Sequence, residues 1–188
     1  MRRAIVESLT AEFRRYKALA EAAMAQLGED ELSKAPSSAA NSVATVAWHI
    51  AGNLRSRFTD FLTSDGEKPW RDRESEFEAR DVNRADLSTH WEDGWQVLLR
   101  TLEQLSDDDL DRLVSIRGVA FPVHEALHRA LAHVSYHVGQ VVYVSRLWRG
   151  EGWNFLSIPP GGSEAYNANP AREDASRHAE HLARRTQR

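Results

Sequence analysis

Arg129-Ala-Leu-Ala-His-Val-Ser-Tyr-His-Val-Gly-Gln-Val-Val-Tyr143 is the stretch on which the reading of this chain turns. Leu131, Val134, Val138 and Val141 recur at steps of three and four, the period of an amphipathic helix. At about 100° per residue, His133, His137 and Gln140 fall along one edge of that apolar stripe, not on the opposite wet face. Ala126, Ala130 and Val144 share the edge, so it too is expected to be buried. The helix should open near Pro122, a residue suited to a first turn, and close at Gly150.

The same setting recurs upstream. A helix over residues 42–63 presents Val43, Val46, Ala47, Ile50, Leu54, Phe58 and Phe61 as its core stripe, and Asp65-Gly66 should end it. His49, Asn53, Ser56 and Asp60 form a polar row beside that stripe, with Arg57 adjacent. Two helices therefore each carry a polar seam against an apolar face. If the seams meet, three neutral imidazoles converge.

Two further amphipathic helices complete the pattern. Residues 4–27 place Ile5, Leu9, Phe13, Tyr16, Ala20, Ala23 and Leu27 on one side, and residues 84–105 do the same with Leu87, Trp91, Trp95, Leu98, Leu102 and Leu105 behind an Asn83 N-cap. Trp91 and Trp95 read as core. The loop from Glu67 to Glu78 is charged and has no helical stripe. Residues 113–121 are β-rich around Arg117-Gly118 and read as a small hairpin before the last long helix. Four long amphipathic helices with little strand predict an all-α four-helix bundle over residues 1–170. Residues 171–188 are expected to be a polar tail, helical or disordered.

Composition narrows the chemistry. The 188 residues include no cysteine, which removes disulfides, thiolate ligands and cysteine nucleophiles together. Any metal must be held by nitrogen and oxygen. A net charge of −4 leaves no basic footprint for nucleic acid, and the terminal pairs Arg2-Arg3 and Arg184-Arg185 read as solvated ends. No run approaches the ~20 apolar residues that span a bilayer. The chain is expected to be cytoplasmic, with neither nucleic acid nor membrane as partner.

Imidazole binds zinc and similar divalent ions at about 2.0–2.1 Å, and catalytic sites commonly combine three protein ligands with an open position. A His pair four residues apart supplies two ligands from one rigid helix, and His49 could supply the third. Asn53 or Gln140 could orient a ligand or a bound water. Eight histidines make such spacing common by chance, and core-edge imidazoles bonded to their neighbours are the plainer alternative.

His124-Glu-Ala-Leu-His128 competes, because it matches the zincin pattern of two ligands and a general base. It lies about half a turn from His133 and His137, on an arc shared with Ala132, Ser135 and Arg146 that reads as solvent-facing. No third ligand follows at the expected spacing. A di-iron bundle would need two Glu-x-x-His motifs, and only Glu125-x-x-His128 occurs. Arg55, Arg57, Arg71 and Arg73 read as interhelical pairs, Tyr136 as half-buried packing, and His90, His178 and His181 as surface residues.

Asn41-Ser-Val-Ala-Thr-Val-Ala-Trp-His-Ile-Ala-Gly-Asn53 and the stretch from Arg55 to Arg71 resemble the DinB/YfiT-like superfamily, and within it a subgroup of unknown function. His133-Val-Ser-Tyr-His-Val-Gly-Gln140 and Leu156-Ser-Ile-Pro-Pro-Gly-Gly-Ser163 match the same subgroup, so the resemblance covers about residues 1–170. It implies a four-helix bundle, often a homodimer, with a divalent ion such as zinc or nickel on His49, His133 and His137. Some relatives transfer low-molecular-weight thiols to small electrophiles. The resemblance thus implies a metal-dependent thiol transferase, while the same triad would serve metal-assisted hydrolysis of a small-molecule substrate. In either case Arg57 could hold a carboxylate of the cosubstrate. A non-catalytic stress-response or structural module, or an assembly protein without metal, are the competing expectations.

Overall fold

The computed structural model describes residues 3–186. The described chain is mostly helical, with seven α-helices and one two-stranded antiparallel sheet. Four helices are long: α1 (Ala4–Met24), α3 (Val43–Phe58), α4 (Arg84–Gln104) and α5 (Val123–Arg149). Three are short or terminal: α2 (Glu29–Ser33), α6 (Ser163–Ala168) and α7 (Ala175–Thr186). Each long helix packs on two of the others, α3 on α4 and α5, and α1 on α4 and α5. Their apolar stripes close on one core, in which Phe13, Ile50, Leu54, Trp91, Trp95, Leu98, Leu127 and Val138 are all buried. Trp91 and Trp95 sit ring to ring at 5.4 Å, as core residues.

The helix starts follow their capping residues. Ser42 accepts from the Thr45 backbone N–H at 3.1 Å, and Asn83 from that of Asp86 at 2.9 Å, each satisfying an otherwise orphaned donor. The ends are set less locally. α3 stops at Phe58, short of residue 63, because Asp60 turns into the left-handed region at φ 50°. Gly94 explains the tight approach of α3 and α4: a Cβ there would run into the Ala51 backbone.

The hairpin forms as the sequence suggests. β1 (Leu113–Ile116) pairs with β2 (Val119–Pro122), Ile116 opposite Val119. Arg117 and Gly118 both have positive φ, 55° and 74°, the signature of a two-residue type I′ turn. Asp65 fastens this turn to the end of the α3 loop. Its carboxylate accepts from the Arg117 and Gly118 backbone N–H groups, both at 2.8 Å, and from the Ser115 hydroxyl.

The segment after Pro170 forms α7, which lies along α1 and buries Leu182 completely. Of the basic pairs read as solvated ends, Arg2 and the Arg185 side chain lie outside the described residues. Arg3 is not solvated, because its guanidinium donates to the Leu102 carbonyl at 2.8 Å. Among the described residues, no helix is long and apolar enough to cross a membrane.

Candidate metal centre

The two polar seams meet. α3 and α5 pack face to face, and their contact brings His49, His133 and His137 together with one ring nitrogen of each within 4.8 Å of the others. His49 Nε2 lies 3.2 Å from His133 Nε2. Three nitrogens at bonding distance from one tetrahedral ion would lie about 3.3 Å apart, so this pair is already at working separation. The ring centroids are 4.8 Å apart for His49 and His137, and 4.6 Å for His133 and His137. Among the described residues this is the one group of three or more His, Asp or Glu side chains spaced to hold an ion.

What surrounds two of the rings fixes which nitrogen faces inward. The far nitrogen of His49, Nδ1, sits 2.8 Å from Glu76 Oε2. An ionised carboxylate can only accept, so Nδ1 carries the proton and Nε2 presents a lone pair. His137 Nδ1 lies 2.9 Å from Gln140 Oε1, which orients that ring likewise. His133 Nδ1 is enclosed without a partner. Burial pushes the His133 imidazole down to about 3, with the neighbouring His137 and His49 rings adding to the effect. Burial also pulls His137 below its ordinary value, against the opposing bond from Gln140. His133 and His137 are therefore neutral at neutral pH, the form in which nitrogen can donate to a metal.

Glu76 is the residue that the sequence reading did not find. It belongs to the charged loop after α3, on a single 3-10 turn at Ser75–Phe77, yet it is 5% exposed. Arg71 holds it in a two-pronged pair, Nε to Oε1 and Nη2 to Oε2, both 2.8 Å. Burial alone would raise this carboxyl, but the bonds from Arg71 and His49 outweigh it and keep Glu76 below the ordinary range. Gly52 makes room on α3, one turn beyond His49, because a Cβ there would collide with the Glu76 carboxylate. A mid-helix glycine facing a loop glutamate was the available signal, and helical periodicity does not register it. Phe77 closes the same corner, its ring 4.4 Å from that of His49.

The remaining candidates are placed unevenly. Asn53 and Arg57 line the same cavity as the three imidazoles. Arg57 is largely engaged, donating to the Gly66 carbonyl at 2.6 Å and to Glu67 at 3.1 Å. His124 and His128 do not converge: their rings are 6.5 Å apart, and His124 Nδ1 is turned to the Leu110 carbonyl at 3.0 Å. His90 is not a surface residue, since it is half-buried and stacks on Trp48 at 3.7 Å. Tyr136, expected to be half-buried, is 65% exposed.

The cavity beside the imidazoles measures about 310 Å³, at the small end of ligand pockets. Three nitrogen donors, two of them oriented from behind, lie close enough together to hold a metal ion beside this space. The chain belongs to the family described as "Protein of unknown function (DUF1572)", whose model matches residues 1–162. No curated protein and no solved structure matches it.

Proposed function

We propose that the protein is a metal-dependent enzyme of the DinB kind, a four-helix bundle of α1, α3, α4 and α5 with a zinc or nickel ion on His49, His133 and His137. The observation that carries this reading is the support behind the rings. Glu76 on His49 and Gln140 on His137 take the Nδ1 positions, which leaves the inward nitrogens as lone-pair donors.

A divalent ion held there supplies Lewis acidity that lowers the pKa of a thiol or water, giving a nucleophile at neutral pH. The chain does the rest. Glu76 keeps the proton on His49 Nδ1, and Arg71 keeps Glu76 ionised. Phe77 and the buried floor exclude water from one side, and Asn53 faces the space a substrate would fill. Transfer of a low-molecular-weight thiol to a small electrophile and hydrolysis both suit this arrangement. A homodimer in a cytoplasmic setting belongs to the same reading.

Elemental analysis of purified protein tests it. One ion per chain is expected. His133→Ala or His137→Ala should abolish uptake, while His124→Ala should leave it intact. Undiminished uptake in the first two variants refutes the assignment, and loss in the third revives the zincin motif. X-ray absorption on the zinc-loaded protein then separates catalysis from a structural role. A sulfur scatterer appearing on addition of N-acetylcysteine marks an open position, and an unchanged shell marks the non-catalytic module.

A further inference from the structure

Five arginines, Arg57, Arg71, Arg73, Arg117 and Arg129, line the cavity beside the imidazoles, and no carboxylate does. The whole chain is net negative, so this concentration is local. Two carboxylates stand behind the wall. Glu76 takes Arg71, and Glu67 is shared among Arg117 at 2.9 Å, Arg57 at 3.1 Å and Arg71 at 3.7 Å. Two negative charges therefore answer three guanidinium groups. Arg73 pairs with Glu74, whose side chain is 86% exposed, a contact that leaves much of its charge free to act elsewhere. Arg129 has no ion pair among the described residues, and its guanidinium rests over the Phe121 ring at 5.5 Å.

Arg117 supplies an independent observation. It occupies the first central position of the type I′ turn at φ 55°, where Asn, Asp or Gly is at ease and a long side chain is not. Turn chemistry does not ask for arginine there. What the residue gains is a guanidinium at the lip of the cavity. Strain of this kind persists where the side chain serves a site. Much of the remaining lining is apolar, with Phe58, Phe61, Phe77 and Ile116 contributing to the wall.

We propose that the cavity binds a small organic acid, its carboxylate taken by Arg129 within the field of Arg117 and Arg73, its apolar body against Phe61 and Phe77. Arg129 lies one helical turn before His133 on α5, about 6 Å along the axis. An acid group seated there leaves the rest of a small molecule facing the imidazoles. The inference rests on the metal-centre reading for what happens to the ligand, while anion capture needs the arginines alone.

Calorimetric titration with benzoate and its neutral isostere benzamide tests this on metal-free and zinc-loaded protein, with metal content measured on the same samples. Benzoate should bind at least tenfold more tightly than benzamide in both forms. Arg129→Gln should erase the preference with an unchanged melting curve, and Arg100→Gln, an exposed position on α4, should not alter it. Arg117→Asn should weaken benzoate severalfold while the melting temperature holds or rises. Equal binding of the two probes, binding of neither, or a preference that survives Arg129→Gln overturns the proposal. Benzoate preference without metal uptake removes the metal centre and leaves the anion site. Metal uptake without preference does the reverse.

Discussion

Asp65 shows how one side chain can hold an element in place. In sequence it is the first half of an Asp-Gly that signals a chain reversal. In the fold its carboxylate gathers the Ser115 hydroxyl and the backbone N–H groups of Gly118, Glu67 and Arg117. Those bonds, that from Ser115 foremost, hold it well below the usual carboxylate range. A folded-state pKa below the unfolded value means that the unfolded chain binds the extra proton first as acid is added. The contribution is therefore complete above about pH 4 and is lost as pH falls below that. The protection factors of the Arg117 and Gly118 amides, measured by NMR against the intrinsic exchange rate at each pH, should fall on acidification through this range. Asp65→Asn should show low protection already at neutral pH and little further change; protection that is indifferent to both pH and the substitution would show that the latch is not Asp65.

Among the elements, α3 is the one whose sequence cost and functional return are easiest to compare. Glycine inside a helix is less favourable than alanine by about 1 kcal/mol. Propensity alone therefore predicts that Gly52→Ala stabilises the protein. The fold predicts the opposite, because the added methyl would displace Glu76, depriving Arg71 of its two-pronged partner and leaving His49 Nδ1 without its acceptor. Breaking a buried ion pair costs about 3 kcal/mol, which exceeds the gain. Loss of the group behind a metal ligand costs 10–100-fold in affinity. Gly52→Ala should lower the denaturation midpoint and weaken zinc in chelator competition together. A stabilised variant with unchanged zinc affinity would show that Glu76 is not held as described.

At the scale of the whole molecule, one face stays open. Tyr136, Tyr143 and Leu147 project from α5 at 65%, 72% and 51% exposure, on the side away from the core. Buried elsewhere, residues of this size would contribute a few kcal/mol each, and a row of them suits contact with a second copy. The proposed homodimer accordingly predicts sedimentation at twice the 21.3 kDa chain mass, and Tyr143→Glu should shift the equilibrium to monomer. A single chain mass at micromolar concentration would remove the dimer from the reading. α7 by contrast packs along α1 and buries Leu182 completely.

The periodic part of this protein was written in its sequence. The stripes of α3, α4 and α5 and, apart from Ile5 at 51% exposure, that of α1, together with the cap at Asn83, the turn at Arg117-Gly118 and the edge position of His49, His133 and His137, follow from local steric preference and the 3.6-residue repeat, which act over a few neighbours. Two things were decided only by tertiary structure. One is the meeting of the seams on α3 and α5, 84 residues apart for His49 and His133. The other is the descent of an irregular charged loop into the core to put Glu76 behind His49. Neither has a local signature, because a buried charge is tolerated only where distant partners satisfy it, and which groups become partners is settled when the chain packs.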